Sequence, residues 1–100
     1  MAHEVSFHPL AFDDLDALDD LIARDSPRLA HAFVGRIRQF CKTLAEFPER
    51  GRLRKELGED IRTLSFEGRV VVAYRVDGRV VLILRIFYAG QNYGLESFEN

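Results

Sequence analysis

Two dipeptides, Glu67-Gly68 and Asp77-Gly78, constrain this chain more than any other feature, because each sits between runs of β-forming residues. The stretch from Ile61 to Tyr88 reads IRTLSF, then EG, RVVVAYRV, DG and RVVLILRIFY. Asp-Gly flanked by β-branched residues is a strong short-range hairpin signal, since a tight hairpin turn needs positive φ in its central residues. Glu-Gly is a weaker version of the same signal. The spacing predicts a three-stranded antiparallel meander over 61–66, 69–76 and 79–88.

Two-residue loops would pair Phe66 with Arg69 and Val76 with Arg79, and that register assigns faces. One face then carries Arg62, Leu64, Phe66, Val71, Ala73, Arg75, Leu82, Leu84 and Ile86, and is expected to meet the helices. The other carries Thr63, Ser65, Val70, Val72, Tyr74, Val81, Ile83, Arg85 and Phe87. That second face is too apolar for open water and is expected to be covered by something outside the chain.

Ahead of the meander, residues 4–8 alternate as a short strand, with Val5 and Phe7 on one side. Pro9 suits a first helical turn, where its missing N–H costs nothing. Ala11, Leu15, Leu18 and Ile22 then form one apolar stripe up to Arg24, with Asp13, Asp16 and Asp20 opposite. Asp14 lies at the stripe's edge, where an arginine, Arg36 for choice, is expected to meet it. Ser26-Pro27 reads as a cap and a first helical position. Leu29, Phe33, Ile37, Phe40, Leu44 and Phe47 follow at helical spacing, with Cys41 on the flank, and Pro48 ends the run. The predicted class is α+β: a short N-terminal strand, an antiparallel helical hairpin and a three-stranded antiparallel meander. One core is expected from Leu15, Leu18, Ile22, Phe33, Ile37, Phe40, Leu44, Leu64, Leu82, Leu84 and Ile86. The tail after Tyr88 is expected to extend a strand or form a short helix.

One hundred residues make a single domain over 1–100, and 47% hydrophobic content with 30% charge is globular composition. No apolar run is long enough for a membrane span, no signal peptide is evident, and one cysteine excludes an internal disulfide. A cytoplasmic location is expected. The net charge of −2 gives no field that would draw the chain to nucleic acid, although Arg50, Arg52, Arg54 and Lys55 form a local basic loop. Residues 13–20 hold five aspartates but lack the glycine and closing glutamate of a calcium loop. His3, His8, His31 and Cys41 have no metal-ligand spacing, and no nucleophile triad or phosphate loop is present. Neither metal nor cofactor is expected. Arginine plus tyrosine remains. Arg62, Arg85 and Tyr88 could stabilise and protonate an RNA-cleaving transition state, but pairing with acids is the commoner use of strand arginines.

Several motifs occur in a telling order: Pro9, Ala11, Asp14 and Leu15; Ser26-Pro27-Arg28-Leu29-Ala30; Leu44, Phe47, Pro48 and Gly51; Glu56-Leu57; Arg62-Thr63-Leu64; Tyr74-Arg75; and Ile83–Ile86. In this the chain resembles the RelE/ParE superfamily of type II toxin–antitoxin toxins over nearly its whole length. The resemblance implies a cognate antitoxin encoded nearby, ParD-like, laid over the open face at Val72, Tyr74, Ile83, Arg85 and Phe87. It also implies one of two activities: ParE-like poisoning of DNA gyrase, or RelE-like ribosome-dependent cleavage of mRNA by Arg62, Arg85 and Tyr88. A toxin-like fold kept for binding alone is a third reading. The acidic chain and its end, Arg85-Ile86-Phe87-Tyr88-Ala89-Gly90-Gln91-Asn92, where many ParE-like members have R-I-x-H-G-x-R-D, favour ParE. Direct nucleic-acid binding by the chain alone is not expected.

Overall fold

The computed structural model describes residues 3–88 and 93–98. Strand β1 (Glu4–Phe7) leads into helix α1 (Pro9–Ala23), and helix α2 (Pro27–Lys42) returns and tightens into a 3₁₀ turn at Thr43–Ala45. Then come β2 (Arg52–Leu53), a 3₁₀ turn at Lys55–Leu57, β3 (Arg62–Phe66), β4 (Val70–Asp77), β5 (Val80–Tyr88) and a 3₁₀ turn at Leu95–Phe98. The sheet order is β1-β5-β4-β3-β2, with β1 parallel to β5 and every other pair antiparallel. The α+β class, the leading strand and the helical hairpin match the sequence reading. The basic loop contributes a strand of its own, β2. Within the tail the 3₁₀ turn is present, whereas residues 89–92 lie outside the described residues.

Each helix starts as its sequence dictates. The His8 Nδ1 accepts from the Leu10 amide at 3.1 Å, and the Ser26 hydroxyl accepts from Leu29 at 3.3 Å, each followed by proline at the first helical position. Ala11, Leu15 and Leu18 of α1 and Ala30, Phe33, Ile37 and Cys41 of α2 are buried. Cys41, read as a flank, is fully enclosed. Leu29 and Phe47, at the two ends of the α2 stripe, are exposed instead.

The meander forms, but its register differs from the sequence expectation in two places, and the faces change accordingly. Phe66 pairs with Val70 rather than Arg69, so the first loop has three residues, with Glu67 at φ 51° and Gly68 at φ 67°. One extra loop residue reverses the faces of β4 relative to β3. The second loop has two residues, Gly78 and Arg79, between the pair Asp77 and Val80. A bulge opposite Ala73/Tyr74 leaves Leu84 without a partner and flips β5 beyond it.

Val70, Val72, Tyr74, Val81, Ile83 and Ile86 therefore lie under the helices, with Leu64 and Phe66 packed against them. This corrects the expectation that Val72, Tyr74 and Ile83 sit on an open face; all three have no exposed surface. Nine of the eleven expected core residues belong to the main core, and Leu82 and Leu84 do not. Leu82 turns to the outer face, and Leu84 joins a second, smaller cluster there with Leu57, Ile61, Ala73 and Phe87. Phe87 is buried as well, stacked on Tyr93 at 4.4 Å and met edge-on by Phe98 at 5.9 Å.

Candidate functional site

The polar residues singled out from sequence fall into three separate places. The first is a knot around Tyr74. Its hydroxyl donates to the Pro48 carbonyl at 2.8 Å and accepts from the Gly51 amide at 2.7 Å. A Cβ on Gly51 would lie 2.6 Å from that hydroxyl, so position 51 has no room for a side chain. From the neighbouring strand Arg62 donates to the Gly51 carbonyl at 2.9 Å and the Glu49 carbonyl at 3.4 Å. Burial holds the Tyr74 phenol above its usual pKa. Tyr74 and Arg62 thus fasten the segment that leaves α2 onto the sheet.

The second place is the seam between α1 and β5. Arg85 makes a two-pronged bond to Asp14, at 2.8 and 2.9 Å, and donates its third arm to the Ser97 carbonyl at 2.9 Å. Asp14 also accepts from the Ile86 amide at 2.8 Å, next to the bulge. An arginine does meet Asp14, but it is Arg85. Arg36 instead pairs with Glu67 at 3.0 Å. The Asp14 carboxylate holds the Arg85 guanidinium firmly protonated, above its ordinary pKa.

The third place is the end of β5. Tyr88 lies opposite Val70 and packs at the margin of the core. Arg62 lies opposite Tyr74. Four residues of β4 separate those positions, about 13 Å along the strand. Arg62, Arg85 and Tyr88 are therefore not brought together.

The basic loop is largely self-satisfied. Arg54 bonds Glu56 at 2.7 Å and reaches the Thr63 hydroxyl at 3.3 Å. Arg50 bonds the Thr43 hydroxyl at 3.1 Å and lies over the Phe40 ring. Arg52, in β2, and Lys55, in the following turn, are exposed. Glu56 beside Arg54, and Glu67 beside Arg36, are held below the usual carboxylate range.

The uncovered face of the sheet carries a cavity of about 170 Å³ lined by Leu10, Ile61, Leu82 and Leu84, with His8, Arg75, Arg85, Ser97 and Phe98 around them. This is the apolar concavity the sequence reading sought, on the opposite face from the one expected. Among the described residues no three metal-ligating side chains converge, and no helix is long and apolar enough to cross a membrane.

A family described as ParE toxin of type II toxin-antitoxin system, parDE, matches residues 5–93. The chain belongs to this family. It is 36% identical over 81 residues to Toxin RelE2 of Caulobacter vibrioides, covering 81% of this chain and 89% of that one. It is 30% identical over 92 residues to Toxin ParE3 of the same organism, covering 92% and 91%. Among solved structures it resembles a chain of the chromosomal ParDE system from P. aeruginosa, with TM-score 0.74, 28% identity, and 87% and 96% of the two chains covered. It also resembles a chain of the RelBE2 toxin–antitoxin complex of Mycobacterium tuberculosis, with TM-score 0.63 and 28% identity over 88% and 99%. The motifs that carry the resemblance in sequence are largely those that tie this ParE-family fold together. Pro48 and Gly51 hold Tyr74, and Asp14 holds Arg85.

Proposed function

We propose that this member of the type II toxin family acts as ParE-like toxins do, by inhibiting DNA gyrase through protein contact, and is neutralised by a ParD-like antitoxin. The observation that carries this reading is the dispersal of the would-be nuclease set. Arg62 is spent on the carbonyls of Glu49 and Gly51, Arg85 on Asp14 and Ser97, and Tyr88 stands about 13 Å from the Arg62 position along the sheet. Transition-state stabilisation needs donors preorganised around one point, and these point to three.

The antitoxin is read as covering the outer face rather than the buried Val72, Tyr74 and Ile83. There an apolar anchor would enter the cavity beside Leu82 and Leu84, with acidic neighbours meeting Arg75. The second reading, ribosome-dependent mRNA cleavage, draws on the 36% identity to Toxin RelE2. Purified chain assayed on gyrase supercoiling and on ribosome-bound mRNA distinguishes the two. Loss of supercoiling with intact mRNA is the expected result. Intact supercoiling with codon-linked cuts would overturn the gyrase reading.

A further inference from the structure

The sheet ends on one side at β1, and nothing among the described residues pairs with its outer edge. The Glu4 amide donates to the Arg79 carbonyl and the His8 amide to the Ile83 carbonyl, so every second residue of β1 turns its backbone towards β5. Val5 and Phe7, in between, turn their N–H and C=O groups outward. Natural edge strands are usually blunted by lysine, proline or a bulge. Here the strand reads EVSF and carries none of these.

The two ends of this edge carry exposed aromatics of complementary placement. At the Phe7 end, Phe12 stacks on Phe7 at 5.3 Å and is 41% exposed. At the other end the His3 amide donates to the Ala45 carbonyl, which brings up Phe47, 65% exposed.

We propose that this edge is the docking surface for a second copy of the chain, with β1 pairing antiparallel to its counterpart about a two-fold axis through Ser6. That register makes two backbone-bonded pairs of Val5 with the partner's Phe7 and sets Ser6 opposite its own copy. The surface is complementary to itself in charge as well, because Glu4 falls opposite the partner's His8. It is complementary in shape, because antiparallel docking lays Phe12 of one copy towards Phe47 of the other, twice. The five-stranded sheet becomes one sheet of ten strands.

The register predicts a particular cross-link. Across a non-hydrogen-bonded antiparallel pair the Cα atoms lie about 4.5 Å apart, within disulfide range, whereas two Glu4 positions would lie about 13 Å apart. Cys41 is buried with its thiol pushed up to about 12, so the native cysteine does not compete. The full-length S6C variant is expected to form a disulfide-linked dimer under mild oxidation, and E4C, treated identically, to stay monomeric. Sedimentation of the unaltered chain at micromolar concentration should give a dimer. V5P removes only an outward-facing amide and should give a folded monomer by circular dichroism. A monomeric unaltered chain, or S6C cross-linking no better than E4C, would overturn the proposal. So would a V5P variant that remains dimeric, or one that alters antitoxin affinity but not self-association, since the edge would then belong to the antitoxin. The gyrase assay reads none of these outcomes.

Discussion

Tyr74 joins three stretches that are distant in sequence, so its hydroxyl carries more than one hydrogen bond's worth of structure. Replacing it with Phe leaves the Pro48 carbonyl and the Gly51 amide without their partner inside the fold. The expected cost is about 1–3 kcal/mol in urea unfolding. Gly51→Ala should cost about 1–3 kcal/mol as well, by forcing a methyl against the same hydroxyl. Because that oxygen is the atom in the way, the two changes should be less than additive when combined. A double-mutant cycle with no coupling would mean that the loop relaxes away from Tyr74. His8 is the other residue with a fixed task. Its unprotonated Nδ1 caps α1, so His8→Ala should cost roughly 1 kcal/mol while His8→Asn costs less, both read from urea midpoints.

Among the elements, α1 is joined to the sheet at one polar point. Asp14 binds the Arg85 guanidinium and the Ile86 amide together, half-buried at the bulge. Asp14→Ala strands a guanidinium and a backbone donor at the seam, and about 3 kcal/mol of stability should be lost. Asp14→Asn, which keeps an acceptor for Ile86, should lose less. Equal losses for the two would assign the cost to the charge pair alone.

The same region shows what a sequence discloses and what it withholds. Helical spacing placed Leu15, Phe33 and Ile37 correctly, because a 3.6-residue period survives small errors. Strand faces have period two, so one extra residue at Glu67–Arg69 and one at Leu84 reversed them. Both are choices of turn and bulge made by packing against α1 and α2, which local pattern does not contain. The candidate site followed suit. Asp14 was legible as an arginine partner from its place on the helix, while the partner's identity depended on the bulge. The Tyr74 knot was visible only as the motif residues Pro48, Gly51 and Tyr74, with nothing in their spacing to join them.

At the scale of the whole molecule, Cys41 reports on integrity. It lies at the helix–sheet interface with no exposed surface, and burial raises its thiol from 9.0 to about 12. The folded chain therefore keeps a proton that the unfolded chain releases, and the sign follows. This contribution to stability is fully present below pH 9 and is lost as pH rises from there through 12. At pH 8 a thiol reagent should label the native chain only as fast as the molecule opens, and labelling should become rapid in urea. Fast labelling without denaturant would place Cys41 in a locally opening region instead.

The parallel pairing of β1 with β5 has a consequence for how the molecule comes into being. The strand that flanks the N-terminal one is the last of the five to be synthesised, and it also lies between β1 and β4. During translation the helical hairpin emerges early, but the surface it must cover is incomplete until residues 80–88 have left the ribosome. Sheets closed by such distant partners fold slowly, because the chain entropy of loop closure is lost before the contacts form. A nascent chain arrested at Gly78 should accordingly be digested by protease as readily as an unfolded one. The toxin fold is then assembled only as synthesis of the chain nears its end, all of it at once, with no earlier stage at which a partial toxin exists.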